Sequence, residues 1–198
     1  MPEPYEQMAG TLPAIRRGGL GMIRLAPSQI TIILPLFAVM DGSAISAQDK
    51  YTLRVPNGLA FSDFRGYEDW RVVSVSQTED AIAVILANPV MIEAYRAGGY
   101  GADKPFPDGA KMAKIHWTPT KSADAPAPTT ISGALHDVDF MIRDSKRFPD
   151  TGGWGYAEFD YDAPSDGFKP NGSGADCGYA CHTIVKAKDY VFTAYPKR

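Results

Sequence analysis

Short strand-like segments follow one another along this 198-residue chain with little helix between them, and this succession constrains the fold more than any other feature. Apolar and polar side chains alternate along residues 71–77, 111–117 and 135–143, which is typical of strands with one buried face. Residues 82–86 form a short apolar run, and residues 190–195 (YVFTAY) are predicted to form a closing strand. Five strands, mostly adjacent in sequence, predict an α+β fold built on an antiparallel sheet.

Two or three short helices complete the predicted fold. Residues 62–70 place three aromatic side chains three positions apart, on one side of a helix. A second helix is predicted after Asn88, which can cap it, with Pro89 in the first turn and Gly98 at its end. Segments rich in Pro, Ala, Thr, Asp or Gly are predicted to be loops, at residues 118–130 and 160–173.

The charge balance limits the classes of partner. The chain has 20 Lys and Arg residues against 23 Asp and Glu residues, a net charge of −3. A protein that binds nucleic acid without regard to sequence needs a basic face, so the charge argues against that class. Two cysteines are too few for a disulfide-rich scaffold.

The N-terminal 47 residues are predicted to be a secretory signal peptide. Residues 1–29 include three arginines, and residues 30–40 (ITIILPLFAVM) form an apolar run too short to cross a bilayer, which takes about 20 residues. Small residues follow, so cleavage is expected after Ala44 or Ala47. The alternative is a buried core helix. Removal of the signal leaves residues 48–198, the length of one domain.

The clearest chemical pattern is Cys177-Gly178-Tyr179-Ala180-Cys181-His182. Two nearby thiols can add to the vinyl groups of haem, and a histidine that follows directly is then delivered to the iron. The usual motif has two residues between the cysteines and this chain has three, which widens the loop without preventing both bonds. The leading prediction is one covalent haem c, attached through Cys177 and Cys181, with His182 as axial iron ligand. Export supports it, because c-type haem is attached outside the cytoplasm.

Three other interpretations of this cluster stay open from the residues alone. A structural zinc site needs four ligands, the cluster supplies three, and neither His116 nor His136 lies at a customary spacing. A thioredoxin-like dithiol would have two intervening residues at the start of a helix. A short-loop disulfide fits an oxidising compartment but would not require His182.

Six segments are similar, in order, to those of one family: 67–70 (YEDW), 82–89 (IAVILANP), 106–114 (FPDGAKMAK), 143–148 (RDSKRF), 153–154 (GW) and 177–192. Together they resemble the cytochrome P-460 family of periplasmic c-type haem proteins, which includes cytochrome c′-beta. The resemblance implies a sheet-based fold, a homodimer, and a single haem with a proximal histidine and an open distal side. Some members oxidise hydroxylamine, and the beta-type cytochromes bind nitric oxide.

The resemblance also implies roles for particular positions. In the hydroxylamine-oxidising members a lysine is covalently joined to the porphyrin edge, and the matching residue is Lys114; the alternative is an ordinary exposed strand lysine. Alternation places Lys114 on the same strand face as Met112 and His116. Where the resemblance implies a distal arginine, this chain has Ala83.

Three functions follow as hypotheses. The first is a periplasmic haem oxidoreductase that oxidises hydroxylamine or a related small nitrogen species and passes electrons to a soluble cytochrome. The second is a nitric-oxide-binding protein without turnover, which Ala83 favours. The third is an electron carrier whose iron has a sixth ligand, Met112, His116 or Met141.

Oxidation of hydroxylamine needs a proton-accepting acid, and Glu158 is a candidate. Alternation along residues 154–160 places Glu158 on the same strand face as Trp154. The alternative is that Glu158 belongs to an acidic loop.

Overall fold

The strands pair in the order in which they occur in the chain, and every pair is antiparallel. The computed structural model describes residues 48–56, 59–98, 100–101, 103–172 and 174–197, and the predicted signal peptide lies outside these ranges. The strands are β1 Arg71–Gln77, β2 Ile82–Ala87, β3 Lys111–Lys121, β4 Thr130–Arg143, β5 Trp154–Asp162 and β6 Gly167–Pro170, and the α-helices are α1 Pro89–Arg96 and α2 Gly174–His182. This architecture confirms the predicted α+β fold. None of the described helices is both long enough and apolar enough to span a bilayer.

Helix α1 begins where the sequence predicts it. Asn88 Oδ1 accepts hydrogen bonds from the backbone N–H groups of Met91 and Lys111, both at 3.0 Å. Pro89 occupies the first turn, where a backbone N–H would have no acceptor within the helix. One side chain therefore caps α1 and ties it to the start of β3, the strand that contains Lys114.

The two faces of the sheet have different surroundings. One face packs against the segment before β1, where the 3₁₀ turns Phe61–Phe64 and Tyr67–Asp69 insert aromatic rings. The ring of Phe64 stacks on that of Phe140 with 4.2 Å between centroids. This aromatic cluster is the main apolar core on that side. The opposite face contains Lys114 and lies under α2.

Residues 62–70 do not form the predicted α-helix. They form the two 3₁₀ turns just described, separated by Gly66 at a φ of 79°, a left-handed conformation that interrupts the helical path. The three-residue spacing of the aromatic side chains fits both structures, because residues i and i+3 also share a side in a 3₁₀ turn.

Residues 190–195 do not form the predicted closing strand. The 3₁₀ turn Thr183–Lys188 precedes them, Tyr190 has a φ of 62°, and the following residues lie over the sheet face without joining a strand. Tyr190 and Val191 are buried against the sheet face, and Tyr195 packs against the same core. The segment is therefore as apolar as a strand would be.

The remaining differences concern the second half of the sheet. Strands β5 and β6 were not among the five predicted, and they occupy part of the region predicted as loop at residues 160–173. The loop predicted at residues 118–130 is shorter, because β3 continues to Lys121 and β4 starts at Thr130.

Candidate haem site

A cavity of about 720 Å³ lies between the sheet face that contains Lys114 and the segment formed by α2 and residues 191–194. This volume is in the range typical of sites for small molecules and cofactors. The cavity brings together side chains from strands β1 to β5 and from α2. Its lining includes residues that the sequence singles out, namely Met112, Lys114, Met141, Glu158, Cys177, Cys181 and His182.

The imidazole of His182 has a defined tautomer. Its Nδ1 atom lies 2.5 Å from the backbone carbonyl oxygen of Tyr190. Because a carbonyl only accepts, Nδ1 must carry the proton, and the lone pair is left on Nε2. Burial lowers the pKa of His182, which favours the neutral ring. The rings of Tyr156 and Phe192 flank it at 5.1 and 4.9 Å between centroids. A neutral imidazole oriented in this way is prepared to bind a metal.

The two cysteines share one side of α2. Cys177 and Cys181 are exposed free thiols in the described structure, and they are four residues apart on a helix, so their side chains lie one turn from each other. Because three residues, and not two, separate the cysteines, both thiols lie on the side of α2 that faces the cavity. A Cβ added at Gly178 would lie 3.0 Å from the Cβ of Tyr156, so glycine at this position lets α2 approach β5 closely.

Lys114, Asp139 and Glu158 form a polar row across three neighbouring strands. Lys114 pairs with Asp139 in the β3–β4 register, and Asp139 pairs with Glu158 in the β4–β5 register. The predicted face of Lys114 with Met112 and His116 is confirmed, as is the position of Glu158 on the face of Trp154. All three residues of the row line the cavity, so a lysine and two carboxylates meet there.

The carboxylates of this row hold protons more tightly than free ones. Burial, together with the nearby Asp137 carboxylate, raises the pKa of Asp139 to about 7. Burial also raises the pKa of Glu158, with the Asp160 and Asp137 carboxylates adding to it. Sequence reasoning missed Asp139, because its neighbours follow from the pairing register and not from local alternation.

His116 and Ala83 lie one row further along the same face, outside the cavity lining. His116 is not among the lining residues; its Nδ1 is 2.5 Å from Asp137 Oδ1. The two methionines proposed as sixth ligands, Met112 and Met141, do line the cavity. Ala83, at the position of the implied arginine, is buried and pairs with His116 outside the lining.

The donor set fits a haem. One imidazole nitrogen with a free lone pair and two thiols on one helix side border a single cavity whose other walls include Ile85, Met112 and Val191. A mixture of apolar walls and a few positioned polar groups is typical of cofactor sites. The residues that would hold the group are Cys177, Cys181 and His182.

A comparison with known proteins agrees with a haem-binding site. The family model of cytochrome P460 matches residues 64–193, a range that includes all six strands of the described sheet and both α1 and α2. The chain therefore belongs to the cytochrome P460 family and is a haem cytochrome. A comparison with curated proteins gave no match.

Proposed function

We propose that this protein is an exported cytochrome with one covalent haem c that oxidises hydroxylamine or a related small nitrogen compound. Its electrons would pass to a soluble cytochrome. The observation that favours this function over others is the polar row in the cavity, where Lys114, Asp139 and Glu158 lie beside the thiols and His182. Export through residues 1–47, periplasmic location and a homodimer belong to the same proposal and rest on the sequence.

Cys177 and Cys181 would hold the haem through thioether bonds, and Nε2 of His182 would bind the iron. When bound, the haem supplies an iron that coordinates a small ligand and accepts electrons. The hydrogen bond from His182 to the Tyr190 carbonyl fixes the ring and increases the basicity of Nε2. Gly178 lets the helix with both thiols lie close against β5.

Lys114 is proposed to be joined to the porphyrin edge by an N–C bond that replaces one N–H of the amine and one C–H of the ring edge, a two-electron oxidation for which a peroxide would be the oxidant. Its side chain lines the cavity and shares a strand face with Met112, so its amine lies on the same side of the sheet as the thiols. The bond would distort the macrocycle, which is one of the means by which a protein changes haem reactivity.

Asp139 and Glu158 are proposed to accept the protons of the substrate. Oxidation of hydroxylamine leaves one proton for each electron removed, and these protons need an acceptor close to the reacting nitrogen. A carboxylate whose pKa is raised to about 7, as for Asp139, is suited to accept and release protons near neutral pH. A protein that only binds nitric oxide has no use for such a group.

The two other functions make different demands on the cavity. Nitric oxide binding without turnover is favoured by apolar walls, which the cavity has at Ile85 and Val191. Electron transfer with a six-coordinate iron is favoured by the thioethers of Met112 and Met141 in the lining. Neither function uses two carboxylates of raised pKa.

The test measures hydroxylamine consumption by the exported holoprotein with an oxidised cytochrome as electron acceptor. We expect turnover in the natural protein and a loss of about 100-fold or more in Asp139→Asn and Glu158→Gln combined, the range for removal of a general base. Asp124→Asn, in the exposed loop after β3, is the control. Carbon monoxide binding without hydroxylamine consumption would identify a ligand-binding protein instead. Reduced iron that ignores carbon monoxide would identify an electron carrier.

A further inference from the structure

Three side chains that can ligate a metal meet at the border of the cavity, on the sheet face that contains Lys114. His116 on β3 pairs with Asp137 on β4, and Asp139 follows Asp137 by two residues on the same strand. Paired residues, and residues two apart on a strand, share a face. The nitrogen and oxygen atoms that these side chains can offer lie within 4.8 Å of one another. We propose that His116, Asp137 and Asp139 form a binding site for zinc, separate from the proposed iron ligand.

The separations of the ligand atoms suit a tetrahedral ion. Nδ1 of His116 lies 2.5 Å from Asp137 Oδ1 and 3.8 Å from Asp139 Oδ2. Two tetrahedral ligands at a zinc bond length of about 2.0 Å are about 3.3 Å apart, which lies between these two values. The last torsion of an aspartate is soft, so small carboxylate rotations would bring both oxygens to that separation. Three protein ligands leave the fourth position to water.

The ion takes the place of a proton between His116 and Asp137. In the described structure, Nδ1 of His116 donates that proton to the carboxylate, which only accepts. A neutral imidazole can equally carry its proton on Nε2, which leaves the lone pair of Nδ1 to a metal. Zinc binding therefore requires a change of tautomer and leaves the charge of the ring as it is.

His136 positions the carboxylate of Asp137. Its Nδ1 atom makes a hydrogen bond with Asp137 Oδ2, so Oδ1 is the oxygen directed at the ion. His116 pairs with Asp137 and Trp117 pairs with Leu135, which makes His136 an extra residue of a β-bulge. Neighbours in a regular strand point to opposite faces, and the bulge changes this direction locally. A ligating carboxylate that is itself hydrogen-bonded is usual at protein metal sites.

The charges and donor atoms around the site favour zinc. On β5, Asp160 pairs with Asp137 and Glu158 pairs with Asp139, so two further carboxylates border the ligands. Lys114 on β3 pairs with Asp139 and opposes this negative charge in part. Magnesium and calcium prefer oxygen ligands, whereas an imidazole nitrogen with two carboxylate oxygens is a donor set that zinc accepts.

The site combines two shielded ligands with one that is open to water. The side chains of His116 and Asp137 are 14% and 10% exposed and lie on paired strands, so packing fixes their orientation. The side chain of Asp139 is 42% exposed, which gives a hydrated ion a way in. Because Asp139 is also a proposed acceptor of substrate protons, bound zinc would inhibit turnover. That consequence rests on the proposed function, whereas zinc binding does not.

Calorimetric titration of the holoprotein with zinc chloride, after removal of metal with a chelator, tests the site without hydroxylamine. We expect one zinc ion per chain, with saturation at micromolar concentrations. Asp139→Asn and His116→Gln should each weaken binding by about 100-fold or more, since loss even of an outer partner costs about 10–100-fold. His136→Ala should weaken it by about tenfold. His136→Asn, whose amide N–H can still donate to Asp137, should restore most of that loss.

The controls separate ligation from local charge. Asp160→Asn removes a carboxylate beside the site without removing a ligand. It should weaken binding by less than about threefold, because water and salt screen a charge that does not touch the ion. Asp124→Asn, in the exposed loop after β3, should bind zinc as the natural protein does.

X-ray absorption at the zinc edge identifies the ligands in the presence of haem iron. We expect nitrogen and oxygen at about 2.0 Å, and sulfur at about 2.3 Å would instead place the ion at the two cysteines and overturn the site. Natural affinity in Asp139→Asn, or saturation only at millimolar zinc, would also overturn it. If His116→Gln does not fold, the more exposed Asp139 decides the outcome. Each result stands whether or not hydroxylamine is consumed.

Discussion

The Nδ1 atom of His182 lies 2.5 Å from the backbone carbonyl oxygen of Tyr190, and a buried ion pair supports the turn that presents this carbonyl. Asp189 Oδ1 lies 3.3 Å from Arg143 Nη1, and Asp189 Oδ2 accepts the backbone N–H of Phe106 at 2.7 Å. Asp189 and Tyr190 have φ values of 52° and 62°. Left-handed backbone at residues other than glycine costs about 1–3 kcal/mol each, so the turn depends on these contacts. The orientation of the proposed iron ligand therefore depends on Asp189.

Asp189→Ala tests this dependence. The substitution leaves the guanidinium of Arg143 buried without its partner, and loss of one partner of a buried pair costs about 3–5 kcal/mol. We expect the free energy of unfolding, measured with urea, to fall by that amount. Asp150→Ala, at an exposed position in a 3₁₀ turn, should change it by less than about 0.5 kcal/mol. Equal effects of the two substitutions would show that the ion pair does not support the turn.

His182→Gly tests the assignment of the axial ligand. We expect the absorption spectrum of the reduced holoprotein to change, because the iron loses its proximal nitrogen. Added imidazole should restore the spectrum, since the glycine leaves room for a free ring between Tyr156 and Phe192. His136→Gly removes an exposed imidazole outside the cavity lining, and its spectrum should remain that of the natural protein. An unchanged spectrum in His182→Gly would reject the assignment.

Asp139 gives a prediction for the pH dependence of stability. Burial and the Asp137 carboxylate raise the pKa of Asp139 to about 7, whereas the unfolded chain titrates near its ordinary value of about 4. Between these values the folded state holds a proton that the unfolded state has released. By linkage, the free energy of unfolding then falls as pH rises from about 4 to 7. Asp139→Asn should remove this part of the slope and be more stable than the natural protein at pH 8.

Urea unfolding at several pH values measures this difference. Asp124→Asn, in the exposed loop at residues 122–129, should keep the natural slope. Glu158 and Asp137 also contribute to the total slope, so the quantity to compare is the difference between variant and natural protein. Parallel curves for Asp139→Asn and the natural protein would contradict the raised pKa.

Local patterns predicted the part of the site that lies on one strand. Alternation alone places Met112, Lys114 and His116 on a common face, because side-chain direction in a strand depends only on residue parity. The cap at Asn88 is equally local, since it involves a side chain and the first turn of the same helix. These features needed no knowledge of which strands are neighbours.

The parts that could not be predicted depend on pairing. Asp139 lies next to Lys114 because of the β3–β4 register, which includes the bulge at His136, and no local pattern reveals such a shift. Strand β6 has four residues that include a glycine and a proline, a composition typical of loops. Residues 190–195 have the composition of a strand, but Tyr190 and Val191 are instead buried in the core on the sheet face that contains Lys114, and Tyr195 packs against the same core.

Lys114 is the position that most separates an enzyme from a ligand-binding protein. We expect proteolysis of the denatured holoprotein to give a Lys114 peptide that remains joined to the haem-bearing peptide, as seen by mass spectrometry. Lys111 is the matched control: it precedes Lys114 by three residues, lies on the other face, and donates to the backbone carbonyl of Asp63. Its peptide bonds should be cleaved normally. Hydroxylamine consumption should fall in Lys114→Ala, and a free Lys114 peptide with unchanged consumption would reject the cross-link.

Mass spectrometry of the peptide that contains residues 177–182 tests the central claim most directly. The protein is expressed with its N-terminal segment in a host that attaches c-type haem, purified, denatured and digested. We predict that this peptide carries one haem, bonded to both Cys177 and Cys181, and that the haem stays with the protein in acidified acetone. Free thiols, a disulfide between the two cysteines, or haem that passes into the acetone would contradict the account.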